Sequence, residues 1–375
     1  MKQLFAIDWA LVGSAIAISI LGILSMYTFG LSGEAAENAL AVRQMIWLAI
    51  GVGVCLAAST VDWRFLRRTR AVVTVYLVAL VLLVLLFIVG SVFQGAQSWF
   101  NLGAFAVQPA DLAKVALIIV LAKYFSRRHI EIAHLRHIIV SGVYAFLLFV
   151  LVFLQPDFGS AIIILGLWGG IILLAGIPLR QLLLLTGVGV LAFFLLWTFA
   201  FADYQKARVI TFLHPLADIQ GAGYNAFQST VAVGSGGVLG KGIGYGTQSR
   251  LQFLPEHETD FIFATFAEEW GLGGALLLFG LFGIIFWRLI AAARMGATNF
   301  ETLFALGVAT LFAVHATIHI GMNIGLLPVT GISLPFMSYG GSHLVTSYLM
   351  LGMVSSMRRY GRTVHEDARH EVVGA

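Results

Sequence analysis

Long apolar runs separated by short polar segments dominate this chain. A helix needs about 20 mainly apolar residues to cross the hydrocarbon core of a bilayer. Such runs predict ten spans, at residues 9–31, 45–61, 71–93, 110–126, 138–154, 158–179, 181–202, 261–287, 302–327 and 342–357. Backbone inside hydrocarbon must satisfy its own hydrogen bonds, and no run shows the alternation of a barrel strand. The predicted fold is therefore an all-α integral membrane protein, a ten-transmembrane-helix bundle forming one domain over residues 1–375.

Composition supports a membrane protein. Apolar residues make up 59% of the chain and charged residues 11%, against about 25% charged in soluble domains. The mean hydropathy is +0.94. The net charge of +4 does not indicate nucleic-acid binding, because the arginines lie in short loops between apolar runs. A single cysteine, Cys55, excludes an intramolecular disulfide.

The basic residues predict the orientation of the bundle. They concentrate in the loops after predicted spans 2, 4, 6 and 8 and in the tail: Arg64, Arg67, Arg68, Arg70, Lys123, Arg127, Arg128, Arg136, Arg180, Arg288, Arg294, Arg358, Arg359 and Arg362. Positively charged loops stay in the cytoplasm. Both termini are thus expected to be cytoplasmic.

The opposite, extracytoplasmic face is predicted to carry the function. Its segments are long and rich in glycine, proline and polar residues: "GAQSWFNLGAFAVQPADLAK", "QPDFGSA", a large loop at about 203–260 between spans 7 and 8, and "LLPVTGISLPFMSYGGS". Loops of this kind often bind ligands or catalyse reactions. Because this face has no access to cytoplasmic nucleotides, its substrate must arrive already activated.

An acidic segment, "FLPEHETDFIFATFAEEWG", begins the eighth span. Carboxylates at a helix start are stabilised by the helix dipole, which is one explanation. Crowded like charges also raise one another's pKa, which suits a general base. Asp260, directly before the apolar run, is the predicted base, with Glu256 close to the substrate. Glu268 and Glu269 lie deeper and are expected to pair with other helices.

Two further segments carry candidate polar residues. In "QPADLAK", Asp111 and Lys114 are three residues apart on one helix face. They are either an ion pair at a helix start or, as we favour, a substrate-facing pair. In "QPDFGSA", Asp157 either caps a helix or contributes to the same outer site.

The glycine-rich stretch "GSGGVLGKGIGYG" lacks the pattern of a Walker phosphate loop. It is either a flexible loop or an anion site in which Lys241 contacts a pyrophosphate. Arg208 and Arg250, in the same large loop, are further candidate cations. His315 and His319 share a helix face without a third ligand, so a zinc site is not expected. Trp99 is an interfacial aromatic or a sugar-stacking residue.

Four segments together resemble the SEDS (shape, elongation, division, sporulation) family of peptidoglycan glycosyltransferases. They are "QPADLAK", "QPDFGSA", "YNAFQSTVAVGSGGVLGKGIGYGTQSRLQFLPEHETDFIFA" and "LLPVTGISLPFMSYGGS", in the family's order. The third and fourth are more similar to rod-shape members than to division members. Three positions differ from the usual family residues: Ser98 replaces arginine, Asp111 replaces glutamate, and His214 replaces aspartate or asparagine.

The resemblance implies polymerisation of lipid II, a disaccharide-pentapeptide on undecaprenyl pyrophosphate, at the outer face of the inner membrane. Asp260 matches the family's essential aspartate, and Asp111, Lys114 and Asp157 match polar positions of its outer cavity. It also implies a class B penicillin-binding protein, a transpeptidase, as partner within an elongation complex. A divalent cation, Mg²⁺ or Mn²⁺, is a possible cofactor beside the pyrophosphate.

The predicted substrate-binding residues are therefore Trp99, Asp111, Lys114, Asp157, Arg208, Lys241 and Glu256, around the base Asp260. Two other functions fit a bundle with polar residues on one face. The chain could be a lipid II flippase or another transporter, or a scaffold without catalytic activity that positions a transpeptidase. Transporters often show two halves with broken helices, and no such symmetry is visible here.

Overall fold

Apolar runs fold here into long helices, linked by short segments that hold the polar chemistry. A computed structural model of the protein describes residues 7–373 apart from 31–34, 94–95, 102, 104–105, 128–134, 200, 202, 214–222 and 252. Within these residues, the helices are α1 (Trp9–Gly30), α2 (Ala35–Thr60), α3 (Thr69–Val89), α4 (Pro109–Ser126), α5 (Leu135–Leu154), α6 (Phe158–Ala175), α7 (Leu179–Phe199), α8 (Asp203–Leu213), α9 (Tyr224–Ser235), α10 (Thr247–Arg250), α11 (Ile262–Arg294), α12 (Asn299–Asn323) and α13 (Gly341–Val373). Each predicted span overlaps one of the long helices.

Eight helices of the described chain are long and apolar enough to cross a membrane: α1, α2, α3, α5, α6, α7, α11 and α12. The protein is thus a nearly all-helical, multi-pass membrane protein. The other two predicted spans correspond to α4, with Asp111, Lys114 and Lys123 among its residues, and to the more polar α13. The count of ten spans stays a prediction.

The position of α4 explains how it carries charges. It packs against α3, α5, α6, α12 and α13, and most of its residues are buried. A charged residue on such a helix faces other helices instead of lipid, where it can be paired. By contrast, none of the residues in the apolar stretch of α7 is buried inside the protein, which fits a helix surrounded by lipid.

Helix α11 is broken two turns after its start. Gly271 has φ 64° and ψ −162°, a backbone conformation that only glycine adopts readily. The glycine-rich loop packs into this break: Lys241 and Gly242 donate backbone hydrogen bonds to the carbonyls of Glu268 and Glu269, and Leu272 donates to the carbonyl of Gly237. The break thereby joins the large loop to the bundle.

Ion pairs gather the basic segments at one end of the bundle. Arg288 of α11 and Arg358 of α13 both donate to Asp8, directly before α1. Arg67, between α2 and α3, pairs with Glu301 at the start of α12 at 2.6 Å. The starts of α4, α6, α11 and α13 lie at the other end, which we call the site end.

Two connecting segments contain elements that the sequence pattern did not predict. The large loop at 203–260 includes α8, α9 and α10, and α9 packs against α11 and α12. The segment between α3 and α4 forms a small antiparallel sheet, with strands β1 (Ser91–Phe93), β2 (Ala96–Asn101) and β3 (Ala106–Val107) in the order β1-β2-β3. These strands are too short for a periodic pattern to reveal them.

Candidate active site

Asp260 lies directly before α11 and is held by its backbone. Its N–H donates to the carbonyl of Glu256 at 3.0 Å. Its own carbonyl accepts a hydrogen bond from Nδ2 of Asn323, the last residue of α12, at 3.0 Å. The residue as a whole is half-buried, and its main chain is fixed by these two hydrogen bonds.

The turn that carries Asp260 is bound to the segment between α12 and α13. The Ser338 hydroxyl donates to the carbonyl of Thr259 at 2.7 Å, and the Tyr339 N–H donates to the carbonyl of Glu258 at 2.9 Å. Glu256 and Phe336, one on each side, have positive φ angles of 53° and 67°. Left-handed non-glycine residues are strained, and such strain is concentrated at functional sites.

Gly331, in the segment between α12 and α13, lies next to the carboxylate of Asp260. A Cβ added at this residue would lie 3.4 Å from Oδ2 of Asp260. The φ angle of Gly331 is +70°, which a side chain would strain. Backbone can therefore approach the carboxylate closely at this position.

Glu256 is half-buried in the same turn as Asp260. Its Oε2 accepts a hydrogen bond from the Thr259 hydroxyl at 3.2 Å. Because the Asp260 N–H bonds to the carbonyl of Glu256, both residues belong to one turn. The role of Glu256 in binding the substrate stays a prediction.

Asp111 and Lys114 form a buried ion pair at 3.0 Å, and each side chain is only 3–4% exposed. His343, at the start of α13, lies 3.4 Å from the same Asp111 oxygen. Its ring also stacks near that of His315, with centroids 4.9 Å apart. The structure thus shows the first alternative, an ion pair at a helix start, and the substrate-facing role that we favour stays a prediction.

Asp157 is the N-cap of α6, as one sequence alternative predicted. Its Oδ1 accepts from the N–H of Ser160 at 3.0 Å. Its Oδ2 accepts from the side-chain amide of Gln108, directly before α4, at 2.9 Å. The backbone N–H of Gln108 donates in turn to the Ser342 hydroxyl at 3.2 Å. One chain of hydrogen bonds therefore joins the starts of α4, α6 and α13.

Lys241 is ion-paired with Glu268 at 2.7 Å, with side-chain exposures of 28% and 0%. The same carboxylate accepts from the backbone N–H groups of Thr247 and Gln248 and from the Thr247 hydroxyl. Glu269 accepts from the N–H of Gly244 at 3.1 Å. The expectation that these two glutamates pair with other helices holds in part, because Thr247 and Gln248 belong to α10, whereas Lys241 and Gly244 belong to the glycine-rich loop.

The remaining predicted residues lie apart from Asp260 along the chain. Trp99 is half-buried on β2, and its carbonyl accepts a hydrogen bond from Ser91. Arg208 belongs to α8, and its side chain lies outside the described residues, as do the side chain of Arg250 and residue His214. Across the described chain, no group of three or more His, Cys, Asp or Glu side chains is arranged to hold a metal ion.

Sequence analysis missed Asn323, which contacts Asp260 directly. A signal was present: Asn323 follows His315 and His319 at intervals of four, so the three polar side chains share one face of an otherwise apolar helix. Polar groups within a membrane span point to function or to a partner.

Fold and site together define a multi-pass membrane protein with a carboxylate site at one end of its helix bundle. A family model for FtsW, RodA and SpoVE, described as cell cycle protein, matches residues 3–363. The chain belongs to this family.

Named relatives and solved structures agree with the family. The chain is 36% identical over 325 residues to stage V sporulation protein E of Bacillus subtilis, covering 86% of this chain and 87% of the relative. It is 39% identical over 291 residues to peptidoglycan glycosyltransferase MrdB of Escherichia coli, covering 76% and 77%.

Among solved structures, a chain of "Structural coordination of polymerization and crosslinking by a peptidoglycan synthase complex" superimposes with a TM-score of 0.80 at 31% identity, covering 95% of this chain and 98% of that one. The rod shape determining protein RodA of Thermus thermophilus gives a TM-score of 0.69 at 29% identity, covering 94% and 97%.

Proposed function

We propose that this protein is a peptidoglycan glycosyltransferase that polymerises lipid II into glycan strands at the outer face of the cytoplasmic membrane, for cell elongation and rod shape. Support comes from membership of the FtsW/RodA/SpoVE family and from the similarity to MrdB, a relative named for this activity. The basic end of the bundle would face the cytoplasm, with both termini, and the site end would face outward.

One observation carries the mechanism: Asp260 is a half-buried carboxylate whose backbone is fixed at the site end. A general base must lie within hydrogen-bond reach of the proton that it removes, in a defined orientation. The main chain of Asp260 is held by hydrogen bonds on both sides, which fixes its orientation. The residue is also partly exposed, so a substrate can reach it.

In the proposed reaction, Asp260 takes the proton of the 4-hydroxyl of the acceptor N-acetylglucosamine. The oxygen attacks the anomeric carbon of the donor strand from the face opposite its pyrophosphate. The new C–O bond forms as the bond to undecaprenyl pyrophosphate breaks, so the linkage is inverted. Because pyrophosphate is a good leaving group, the second carboxylic acid used by glycosidases is not needed.

The other candidate residues are proposed to bind the substrate. Arg208 and Lys241 would stabilise the charge of the pyrophosphate. The buried Asp111–Lys114 pair and Asp157 would form the floor of the outer cavity, with Glu256 and Trp99 at its rim. The described residues offer no three-ligand cluster for Mg²⁺ or Mn²⁺, so we assign no step to a cation.

We also propose a class B penicillin-binding protein as the partner, together with other membrane proteins of the elongation complex. The similarity to a chain from a complex that coordinates polymerization and crosslinking supports this proposal. A transpeptidase would crosslink the strands that this chain makes.

Purified protein in vesicles with defined lipid II tests the function. The parent should make glycan strands without a partner, whereas Asp260→Asn should make none and Glu258→Gln, with the same charge change in the same turn, should retain activity. Translocation of lipid II without polymer would favour a transporter. Polymer that forms only when a partner polymerase is added, and equally well with Asp260→Asn, would favour a scaffold.

A further inference from the structure

Three polar side chains on one face of α12 bind the backbone around Asp260. His315 donates from Nδ1 to the carbonyl of Ser333 at 3.2 Å, and His319 donates from Nδ1 to the carbonyl of Ile332 at 2.6 Å. Asn323, one turn further, donates to the carbonyl of Asp260 at 3.0 Å. This polar face therefore holds both the segment that contains Gly331 and the residue whose carboxylate Gly331 approaches.

Asn323 makes a second contact with the start of α11. Its Oδ1 accepts the N–H of Ala264 at 3.1 Å. Ala264 lies in the first turn of α11, where N–H groups lack partners within the helix, and the N-cap residue Phe261 supplies no side-chain hydrogen bond. Asp260 and Ala264 are four residues apart, the spacing of a helical hydrogen bond. The amide of Asn323 thus binds both groups of this pair from another helix.

Asn323 is itself fixed in place. Its side chain is fully buried, and Nδ2 also donates to the carbonyl of His319 at 2.8 Å. The Ser229 hydroxyl of α9 donates to the carbonyl of Asn323 at 2.9 Å. The orientation of its amide is therefore determined by contacts from α9, α11 and α12.

We propose that Asn323 is the positioning residue for Asp260: its amide caps the start of α11 just after the aspartate and fixes the main chain that carries the carboxylate. The proposal rests on the proposed function. Small misplacements of a reacting group cost large factors in rate, of order a hundredfold for about 1 Å. A residue that fixes the backbone of the base without touching the substrate should therefore affect kcat more than KM.

The test compares Asn323→Ala and Asn323→Asp with Tyr76→Phe in purified, folded protein polymerising lipid II. Tyr76 donates a hydrogen bond to the carbonyl of Tyr144 in a different part of the bundle, so its variant also loses one partly buried interhelical hydrogen bond. We expect kcat to fall about tenfold or more for Asn323→Ala with KM unchanged within a factor of about two, and Tyr76→Phe to keep the parental kcat.

Asn323→Asp adds a readout that loss of stability alone would not change. It keeps the size and an acceptor for Ala264 but places a carboxyl group beside Asp260, and like charges raise one another's pKa. The acid limb of the pH–rate profile should therefore move to higher pH. Other titratable groups of this corner include Glu256, His257 and Glu258 in the turn and His319 on α12, all unchanged by the substitution.

Ser229→Ala is a milder variant if Asn323→Ala does not fold. It loses the hydrogen bond to the main chain of Asn323 and a longer one to Oδ1 at 3.4 Å, but the amide keeps its contacts with Asp260 and Ala264, so we expect a smaller fall in kcat in the same direction.

A parental kcat per folded molecule and an unmoved pH profile in the Asn323 variants would overturn the proposal. Asp260→Ala, measured in parallel, separates this failure from failure of the proposed function. If Asp260→Ala is inactive while the Asn323 variants match the parent, only the positioning role is wrong. If Asp260→Ala polymerises at the parental rate, the proposed base is wrong.

Discussion

Asp260 and Glu268 are eight residues apart in one acidic segment, yet their surroundings differ. Glu268 is 0% exposed and accepts hydrogen bonds from Lys241, Thr247 and Gln248. Asp260 is half-buried, and Glu256 and Asn323 hold it by its backbone N–H and carbonyl. Glu268 therefore binds the large loop to α11, whereas Asp260 is held in position by Glu256 and Asn323.

This comparison separates two uses of a carboxylate at the edge of a membrane. A fully buried carboxylate whose oxygens accept hydrogen bonds from the protein cannot contact a substrate. A carboxylate with a fixed main chain and partial access can accept a proton from a substrate.

The largest expected effect on folding is that of Glu268→Ala. It leaves Lys241 without its ion-pair partner and removes the acceptor for two backbone N–H groups of the large loop. Breaking a buried ion pair costs about 3–5 kcal/mol. The melting temperature in detergent should fall markedly. Glu258→Ala, in the preceding turn, should lower it less, because that side chain is 22% exposed and its partner, His257, lies 3.6 Å away. Equal melting temperatures for the two variants would contradict the structural role of Glu268.

Lys241→Met tests whether this lysine also serves the substrate. If its ammonium group contacts the pyrophosphate, loss of a charged hydrogen bond should raise KM for lipid II about tenfold. Lys206→Met on α8 provides the same charge change for comparison. An unchanged KM, with a lowered melting temperature, would assign Lys241 to the loop alone.

Gly331→Ala tests the close approach to Asp260. The new Cβ would lie 3.4 Å from the carboxylate and would be strained at φ +70°. Left-handed backbone costs an alanine about 1–2 kcal/mol. We expect kcat to fall severalfold. Gly325→Ala is a matched control, because Gly325 has a similar φ angle of +74° but lies next to Thr230 and not next to Asp260. If both variants lose the same factor in kcat, the backbone strain of the alanine is responsible and the contact with the carboxylate is not.

The smallest effect is expected at the basic end. Hydrogen bonds from Arg64 lower the pKa of Asp62 below its ordinary value of 3.8. A depressed folded pKa adds stability above the unfolded pKa, and this stability is lost as the pH falls through the folded pKa. Because the pair is exposed, Asp62→Asn should cost at most about 1 kcal/mol at pH 7. Thermal unfolding of the two proteins should converge at acid pH.

The sequence predicted the features of this fold that depend on local pattern. Apolar length locates the long helices, and the preference of aspartate for helix starts anticipates the cap at Asp157. The small sheet and helices α8 to α10 lack such a pattern.

Contacts between distant parts of the chain could not be predicted in this way. Asn323 is 63 positions from Asp260, and Glu268 is 27 positions from Lys241. No periodicity in the sequence reports which distant backbone groups a buried amide or carboxylate will bind. For this reason the acidic segment indicates Asp260 as a candidate base but does not report which residues Glu268 binds.

The most direct test of the account is the rate of lipid II polymerisation by purified Asp260→Ala, with and without added formate, beside Glu268→Ala. If Asp260 is the base, its loss should slow the reaction about 10²–10⁴-fold in folded protein. Formate, a small carboxylate, should restore part of that rate and leave the rate per folded molecule of Glu268→Ala unchanged. Polymerisation by Asp260→Ala at the parental rate would contradict the account.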